Sequence, residues 1–365
     1  MNRLSIHEKY MAFAIRLALK AKGQTSPNPM VGAVLVKGNR IVGVGYHHQA
    51  GQPHAEVLAL ESAGGKAKGA TLYVTLEPCV HYGRTPPCVD KIIASGIKKV
   101  YIGMLDPNPL NNGKGVATLQ ANKIEVKVGF LEGQLIKMNE AFIKYIRRGL
   151  PFVTVKVAQS LDGKIATETG DSKWITSDLS RNLAHRMRKD YDAIMVGVNT
   201  IIRDNPRLEA WFSKRQPVVV VVDSQLSTPR DAAIFERGAS VILATLPVKP
   251  GQETENQRIL STKAKILQTK EKSGQVNLRD VMKKLAQLGI INILVEGGGT
   301  LIGSLFDEGL VDKVKFFISP KIIGGKLAIS SVMGKGVKRI DRAIRIKDVT
   351  LKRIKEDILI EGYVA

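Results

Sequence analysis

Apolar and polar residues alternate with two different periods along the first 150 residues. Apolar side chains within residues 6–22 recur every three or four positions, which predicts an amphipathic helix. The apolar runs of MVGAVLVKGNRIVGVGYHH predict two strands joined by a turn at 37–39. The same patterns predict further helices over 54–63, 88–95 and 132–147, and further strands over 70–78, 98–105 and 124–130. Helices interleaved with strands predict a layered α/β domain.

A break in the pattern near residue 150 predicts a second domain. The chain reads Arg147-Arg148-Gly149-Leu150-Pro151 there, and glycine with proline ends a helix. We therefore expect domains over 1–148 and 149–365. The second domain contains unbroken apolar runs such as PVVVVVDS, which favour strands buried on both faces of a mostly parallel sheet. The polar stretch 247–275 is expected to contain a mobile loop.

Charge and length exclude some classes of protein. The formal net charge of +22 is divided evenly, because residues 1–150 carry 20 basic and 9 acidic side chains and residues 151–365 carry 35 and 24. Proteins that bind nucleic acid usually concentrate their basic charge on one face or segment. No apolar run approaches the roughly 18 residues of a membrane span. We expect a cytoplasmic protein without a membrane or nucleic-acid partner.

The two cysteines of the chain lie in one turn-rich stretch, EPCVHYGRTPPC, at Cys79 and Cys88. His54 and Glu56 open the predicted helix upstream. Thiolate and imidazole are good zinc ligands, and three protein ligands leave a fourth position for water. A carboxylate two residues from the histidine could relay protons without binding the metal. The pattern His-x-Glu…Pro-Cys…Cys is the signature of zinc-dependent nucleobase deaminases.

The spacing of the cysteines departs from that signature. Eight residues separate them here, whereas the general pattern has two. An alternative is a structural zinc site that His81 completes, with Glu56 as an ordinary acid in the first turn of a helix.

Longer motifs carry a resemblance to a known family. The segments SPNPMVGAVLV, HAEVLAL, GATLYVTLEPCVHYGRTPPC and SGIKKVYIGMLDPNP resemble the bifunctional deaminase/reductases of riboflavin biosynthesis, which space their cysteines in this wide way. The resemblance implies a cytidine-deaminase-like three-layer α/β/α domain followed by a dihydrofolate-reductase-like α/β domain. It implies zinc ligands at His54, Cys79 and Cys88 and a proton relay at Glu56. Three residues in matching segments are candidate substrate contacts: Asn28, His81 and Arg84.

The second half has its own candidate site. INILVEGGGTLIGSLF reads as a strand, a run of glycines and a helix, and a glycine turn at a helix N-terminus can receive a phosphate. We expect Gly298 to adopt the positive φ that glycine permits. A tight strand-to-helix connection would explain the glycines equally well. With VKVAQSLDGKIATETGDSKWITS, this segment resembles the reductase half of the same family, which uses NADPH.

The resemblance assigns residues of the second half to two ligands. The candidate NADPH contacts are Ala158, Trp174, Thr200, Asp204, Ser224, Gly298, Gly299, Thr300, Leu301, Ile302, Gly303 and Ser304. The candidate contacts to the ribosyl substrate are Ser172, Arg188, Leu208 and Glu296. One segment departs from the family, because Glu209-Ala210-Trp211-Phe212 stands where a threonine and an arginine are usual. Arg207 or Arg215 could take the place of that arginine, or the reductase could be weak.

These observations predict a two-domain enzyme. The first domain would deaminate 2,5-diamino-6-ribosylamino-4(3H)-pyrimidinone 5′-phosphate with Zn²⁺, and the second would reduce the ribosyl chain to ribityl with NADPH. We expect a homo-oligomer that acts on a phosphorylated pyrimidine. Two alternatives stay open, namely a tRNA-type nucleic-acid deaminase with an appended domain and a non-enzymatic binding protein with a structural zinc.

Overall fold

The chain divides into two units, Met1–Gly149 and Leu150–Ala365. The computed structural model describes residues 4–82, 86–213, 215–236, 238–248, 251 and 254–365. Within these ranges, no helix combines the length and the apolar character needed to cross a membrane.

The first unit alternates helices and strands in the predicted order. Its elements are α1 (Ile6–Ala18), β1 (Gly32–Lys37), β2 (Arg40–Tyr46), α2 (Ala55–Ala63), β3 (Thr71–Leu76), α3 (Cys88–Ala94), β4 (Lys99–Met104), α4 (Lys114–Ala121), β5 (Glu125–Val128), α5 (Glu132–Met138) and α6 (Glu140–Arg148). The strands form one sheet in the order β2-β1-β3-β4-β5. The first three strands pair antiparallel, and β3, β4 and β5 run parallel. Because parallel strands align their carboxyl ends, the segments that follow β3 and β4 meet at one edge.

Alternating side chains of β1 give this sheet two buried faces. Ala33 and Leu35 belong to a core that includes residues of α2 and α3, whereas Val34 and Val36 belong to a second core with α1. Successive side chains of a strand point to opposite faces, so a strand covered on both sides reads as a continuous apolar run. The layered α/β arrangement is therefore the one that the sequence pattern predicts.

Two details of the first unit differ from the prediction. The helix expected over 132–147 is interrupted at Asn139, which has φ −108° and separates α5 from α6. The buried Asn139 amide accepts a hydrogen bond from Met30 N at 2.9 Å and donates one to Met30 O at 3.1 Å. In addition, α4 lies before β5, where the sequence pattern predicts no helix.

The second unit is built on a larger sheet. Its elements are β6 (Phe152–Ser160), β7 (Lys164–Ala166), α7 (Asp178–Met187), β8 (Ala193–Gly197), α8 (Val198–Asp204), β9 (Val218–Val222), β10 (Val241–Thr245), α9 (Glu255–Lys263), β11 (Lys265–Gln268), β12 (Glu271–Lys272), β13 (Gln275–Val276), α10 (Leu278–Gln287), β14 (Asn292–Gly297), α11 (Gly299–Asp307), β15 (Lys313–Ser319), β16 (Ile329–Ser330), β17 (Ile346–Ile354) and β18 (Asp357–Val364).

Nine of these strands form one sheet in the order β11-β10-β9-β8-β14-β6-β15-β18-β17 within the described residues. All pairs from β11 to β15 are parallel, and β18 and β17 add an antiparallel edge. Val220 of β9 faces one core while Val219 and Val221 face another, as expected for a strand buried on both sides. The prediction of a mostly parallel sheet is confirmed.

The polar stretch 247–275 contains more regular structure than a loop. It includes α9, β11 and β12, and it ends in β13. Thr254 caps α9 in a capping box with Gln257, and β11 pairs with β10 at the edge of the sheet. Polar side chains are compatible with this regular structure, because an edge strand and a solvent-facing helix can both be polar. The loop stays a prediction, since residues 249–250 and 252–253 lie outside the described residues.

Candidate active sites

The first candidate site lies where two helices begin, next to the carboxyl end of β3. His54 is the N-cap residue of α2, Cys79 follows β3, and Cys88 is the first residue of α3. A Cβ at Gly45 would lie 2.3 Å from Ala55 O, so the absence of a side chain there lets β2 approach the first turn of α2. The amide of Val89 donates to Cys79 O at 3.3 Å and ties the two cysteine segments together.

The three side chains converge on one point. His54 Nδ1 lies 3.2 Å from Cys88 Sγ and 3.6 Å from Cys79 Sγ, and the three donor atoms all lie within 4.8 Å of one another. Within the described chain, no fourth histidine, cysteine or carboxylate belongs to this group. Two sulfurs and one nitrogen at this spacing fit a zinc ion that keeps one position for another ligand. The pKa of the Cys79 thiol is lowered, and its hydrogen bond with the Cys88 thiol is the main cause. A lower pKa favours the thiolate, which is the form that binds a metal.

Glu56 lies in the first turn of α2, two residues after His54. It is only 4% exposed, and burial is the main cause that raises its pKa from 4.5 to about 7. A carboxyl group with a pKa near neutrality can both accept and donate a proton at physiological pH. The structure thus places a proton-transfer group beside a metal-binding cluster.

A cavity of about 320 Å³ adjoins the cluster. Asn28 and His81, both predicted as substrate contacts, line it together with His54, Glu56 and Cys79. The buried Nδ1 of His81 has no hydrogen-bond partner among the described atoms. Arg84, the third predicted contact, lies outside the described residues.

Sequence reasoning missed other residues of this cavity, four of which carry imidazole, carboxyl or amide side chains. These four are His47, Glu77, Asp106 and Asn108. His47 lies 3.1 Å from the Asn28 amide nitrogen, and burial lowers its pKa. Asp106 and Asn108 belong to DPNP, a motif that carried the family resemblance, so that motif could have drawn attention to them.

The second unit has two adjoining cavities, of about 280 and 580 Å³, which share Thr200 and Gly298. The smaller cavity is lined by Ala158, Ser172, Trp174, Asp204, Arg188, Glu296 and Ile302 of the predicted set. The larger is lined by Ser224, Thr300, Leu301 and Ser304. Three of the four predicted substrate contacts therefore line the smaller cavity, and ten of the twelve predicted cofactor contacts line one or both cavities.

A buried ion cluster forms one wall of the smaller cavity. Arg188 donates to Glu296 through Nε at 2.6 Å and through Nη2 at 3.0 Å, and Lys156 Nζ lies 3.4 Å from the same carboxylate. Burial by itself would raise the pKa of Glu296, but the two cations outweigh it and lower the pKa to about 2. Glu296 is therefore an anion at neutral pH, and the cluster retains a net positive charge.

The glycines at the start of α11 have different structural roles. Gly298 is the N-cap residue with φ −73°, so the positive φ expected there is wrong; Gly297 has φ +138° instead. A Cβ at Gly303 would lie 1.3 Å from Met333 O, and one at Gly299 would lie 2.3 Å from Ser330 O. These two buried residues allow α11 to pack against the 330–334 segment and do not line either cavity.

The larger cavity suits a phosphorylated cofactor. No side chain caps α11, so the backbone amides of its first turn remain oriented toward the region where Gly298 and Thr300 line the cavity. Ser224 and Ser304 add hydroxyl groups to the same wall. These donors fit the phosphate groups of NADPH.

The unusual segment 209–212 contributes no cation to these cavities. Arg207 pairs with Glu236 at 3.3 Å, and Arg215 pairs with Asp192 at 3.3 Å. Neither arginine lines the smaller cavity, so neither replaces the expected side chain. Leu208, a predicted substrate contact, is 4% exposed and does not line the cavity either.

Comparisons with known proteins agree with this division. Residues 4–104 match the family model of the cytidine and deoxycytidylate deaminase zinc-binding region, and residues 151–360 match that of the RibD C-terminal domain. These matches confirm a cytidine-deaminase-like first half and a reductase second half.

Full-length relatives are similar to the whole chain. The riboflavin biosynthesis protein RibD of Aquifex aeolicus is 46% identical over 97% of this chain and 98% of its own length. The solved structure of Acinetobacter baumannii RibD has a TM-score of 0.88 at 34% identity and covers 99% of both chains. A diaminohydroxyphosphoribosylaminopyrimidine deaminase/5-amino-6-(5-phosphoribosylamino)uracil reductase from Thermotoga maritima has a TM-score of 0.86 at 38% identity, again over 99% of both chains. The chain therefore belongs to the RibD family of bifunctional riboflavin biosynthesis enzymes, which combine a zinc-binding deaminase domain with an NADPH-dependent reductase domain.

Proposed function

We propose that the first unit hydrolytically deaminates 2,5-diamino-6-ribosylamino-4(3H)-pyrimidinone 5′-phosphate, with His54, Cys79 and Cys88 as zinc ligands and Glu56 as proton relay. The observation that supports this proposal most strongly is the convergence of three ligand atoms within 4.8 Å beside a buried carboxyl group. The adjoining cavity accommodates the pyrimidine ring. We propose Asn28, His81 and Arg84 as contacts to it.

Glu56 moves the proton in this mechanism. When bound, zinc acts as a Lewis acid that makes a water molecule more acidic. Because the pKa of Glu56 is about 7, its carboxylate can take a proton from the attacking water. The protonated carboxyl then donates to the departing amine, so ammonia leaves and Glu56 returns to its starting state. Its burial keeps bulk water from competing for that proton.

In the second unit, we propose that the deaminated product is reduced at its ribosyl chain. NADPH supplies the hydride, and the protein binds and orients both molecules. The proposed cofactor contacts are Ala158, Trp174, Thr200, Asp204, Ser224, Gly298, Thr300, Leu301, Ile302 and Ser304, whereas Gly299 and Gly303 have a packing role. Glu296, Arg188 and Ser172 would hold the ribosyl substrate, with Leu208 as a further predicted contact. Because the Glu296 cluster carries net positive charge, it favours a phosphorylated ligand.

The boundary between residues 148 and 149, a cytoplasmic location and homo-oligomerisation remain predictions of this proposal. The absence of a concentrated basic segment in the sequence favours a small phosphorylated substrate over nucleic acid.

One experiment tests both activities. The purified protein is incubated with the diaminopyrimidinone phosphate, with and without NADPH, and the masses of the products are measured by mass spectrometry. Without NADPH, we expect one amino group of the substrate to be replaced by oxygen. With NADPH, we expect the product to gain two further hydrogen atoms. No exchange on this substrate, combined with ammonia release from RNA, would favour the nucleic-acid deaminase instead.

A further inference from the structure

An aromatic stack adjoins the smaller cavity of the second unit, and neither of its two residues is among the predicted contacts. The ring of Trp211 lies parallel to that of His185, with centroids 4.1 Å apart and an angle of 6°. His185 lines the cavity beside Arg188 and Glu296, whereas Trp211 lies behind it and is 39% exposed. The neighbouring Phe212 is 81% exposed and packs over Arg186. Of these two adjacent aromatic residues, only Trp211 supports the cavity wall.

Arg188 fixes the tautomer of His185. Its Nη1 lies 3.0 Å from His185 Nδ1 and 2.9 Å from Glu209 O. Because a guanidinium group has no acceptor, Nδ1 must accept this hydrogen bond, and the ring proton then resides on Nε2. Burial, followed by the charge of Arg188, lowers the pKa of His185, so the imidazole is neutral at pH 7. The ring therefore offers one N–H donor and no charge.

The arginine and lysine side chains of this wall already have partners. Arg188 and Lys156 both bind Glu296. Arg181, one helical turn before His185, lies 4.3 Å from the Trp174 ring centroid and donates to Thr176 O at 2.5 Å. The Glu209 carbonyl, which accepts from Arg188 Nη1, also lies near the His185 ring and partly offsets the lowering of its pKa. No hydrogen bond of standard geometry engages Nε2 within the described residues. The Nε2–H group of His185 can therefore donate to an oxygen of an anionic sugar chain bound in this cavity.

We propose that His185 contacts the substrate of the second unit, donating from Nε2 to an oxygen of the phosphoribosyl chain, and that Trp211 is a positioning residue that holds the imidazole in place. This inference rests on the proposed reductase function. It gives the unusual segment 209–212 a function. Trp211 supports His185, and His185 is an uncharged donor that contacts the substrate in place of the expected cation.

Steady-state kinetics with the deaminated substrate test the proposal. His185→Phe keeps the stack but removes the donor, and we expect its KM to rise about ten-fold, as for the loss of one buried hydrogen bond. Trp211→Ala should raise KM several-fold because the ring is no longer fixed, whereas Trp211→Phe should restore a value near that of the native protein. Phe212→Leu is the matched control and should leave KM unchanged. Values within two-fold of native for both His185→Phe and Trp211→Ala would overturn the proposal.

A binding measurement separates this inference from the reductase function. Trp174 and Trp211 are the two tryptophans of the chain, so Trp174→Phe leaves Trp211 as the single indole reporter. In that background, ribose 5-phosphate should change the Trp211 emission, and adding His185→Phe should weaken its Kd about ten-fold. An equal Kd with and without His185, or no binding by the single-reporter protein, would overturn the inference. Native protein that binds ribose 5-phosphate through His185 but never oxidises NADPH would instead refute the reductase proposal alone.

Discussion

Removing the negative charge of Glu296 should strongly destabilise the second unit. The carboxylate is 5% exposed and holds Arg188 at 2.6 Å and Lys156 at 3.4 Å. A carboxyl group whose pKa falls from 4.5 to about 2 on folding contributes ~3 kcal/mol to stability at neutral pH. This matches the ~3–5 kcal/mol that is lost when one partner of a buried ion pair is removed. Glu296→Gln leaves two cations facing an uncharged amide, so we expect a loss of ~3 kcal/mol.

Tryptophan fluorescence isolates this effect. Both tryptophans, Trp174 and Trp211, belong to the second unit, so urea unfolding followed by their emission reports on that unit. Glu236→Gln is the matched control, because it removes a carboxylate that pairs with Arg207 on the surface, where both side chains are more than 60% exposed. Exposed pairs contribute only ~0–1 kcal/mol. Ammonia release should be unchanged in both variants, since the proposed deaminase site lies in the first unit.

The pH dependence gives the decisive result. Because folding lowers the pKa of Glu296, its contribution is present in full above the unfolded value near 4.5 and is lost as pH falls toward 2. The stability difference between native protein and Glu296→Gln should therefore shrink to ~1 kcal/mol by pH 3. A loss at pH 7 no larger than that of Glu236→Gln, or an equal difference at pH 7 and pH 3, would refute the electrostatic reasoning.

Four further changes test other parts of the structure. Glu56→Gln should slow ammonia release by about 100-fold or more while the zinc content measured by atomic absorption stays constant; a rate within a few-fold of native would assign the proton relay elsewhere. Cys88→Ser should greatly reduce that zinc content, and full retention would remove Cys88 from the ligand set. Asn139→Ala should destabilise the first unit by ~2 kcal/mol because two buried backbone groups lose their partners; circular dichroism during urea unfolding measures this, and an unchanged midpoint would contradict it. Gly303→Ala should lower the urea midpoint of tryptophan emission, because its Cβ would lie 1.3 Å from a backbone carbonyl oxygen. Gly298→Ala, whose Cβ would meet only a side chain at 3.6 Å, should lower the midpoint much less, and equal effects would contradict the packing argument.

The sequence pattern located most elements of the first unit, and its two failures share one cause. α4 begins after Gly113 without a side-chain cap of its own. The buried Glu77 instead accepts hydrogen bonds from Gly113 N at 3.0 Å and Val116 N at 3.2 Å, although it lies 36 and 39 residues away. Asn139 similarly interrupts a helix through a partner 109 residues distant. Local patterns contain no information on such contacts, so neither the start of α4 nor the break before α6 was predictable.

The candidate sites were predictable to different degrees. His54, Cys79 and Cys88 could be grouped from sequence because few residue types bind zinc and the chain contains two cysteines. Assignments that depend on backbone conformation were less secure, as the φ of −73° at Gly298 illustrates. The stack of Trp211 on His185 had no sequence signal, because it joins a helix to an irregular segment through side-chain geometry alone.

Glu77 connects several polar residues around the first site. Besides its two bonds to α4, Glu77 accepts from Asp106 N at 3.1 Å, so one buried carboxylate fixes a segment that lines the cavity. Asn111, also buried, accepts from Val80 N at 2.9 Å, next to the proposed ligand Cys79. The ligand loop and the cavity wall therefore share one hydrogen-bond network. Since a buried network with an unmet partner is costly, the two parts cannot shift independently, and the cluster of His54, Cys79 and Cys88 keeps its position relative to the adjoining cavity.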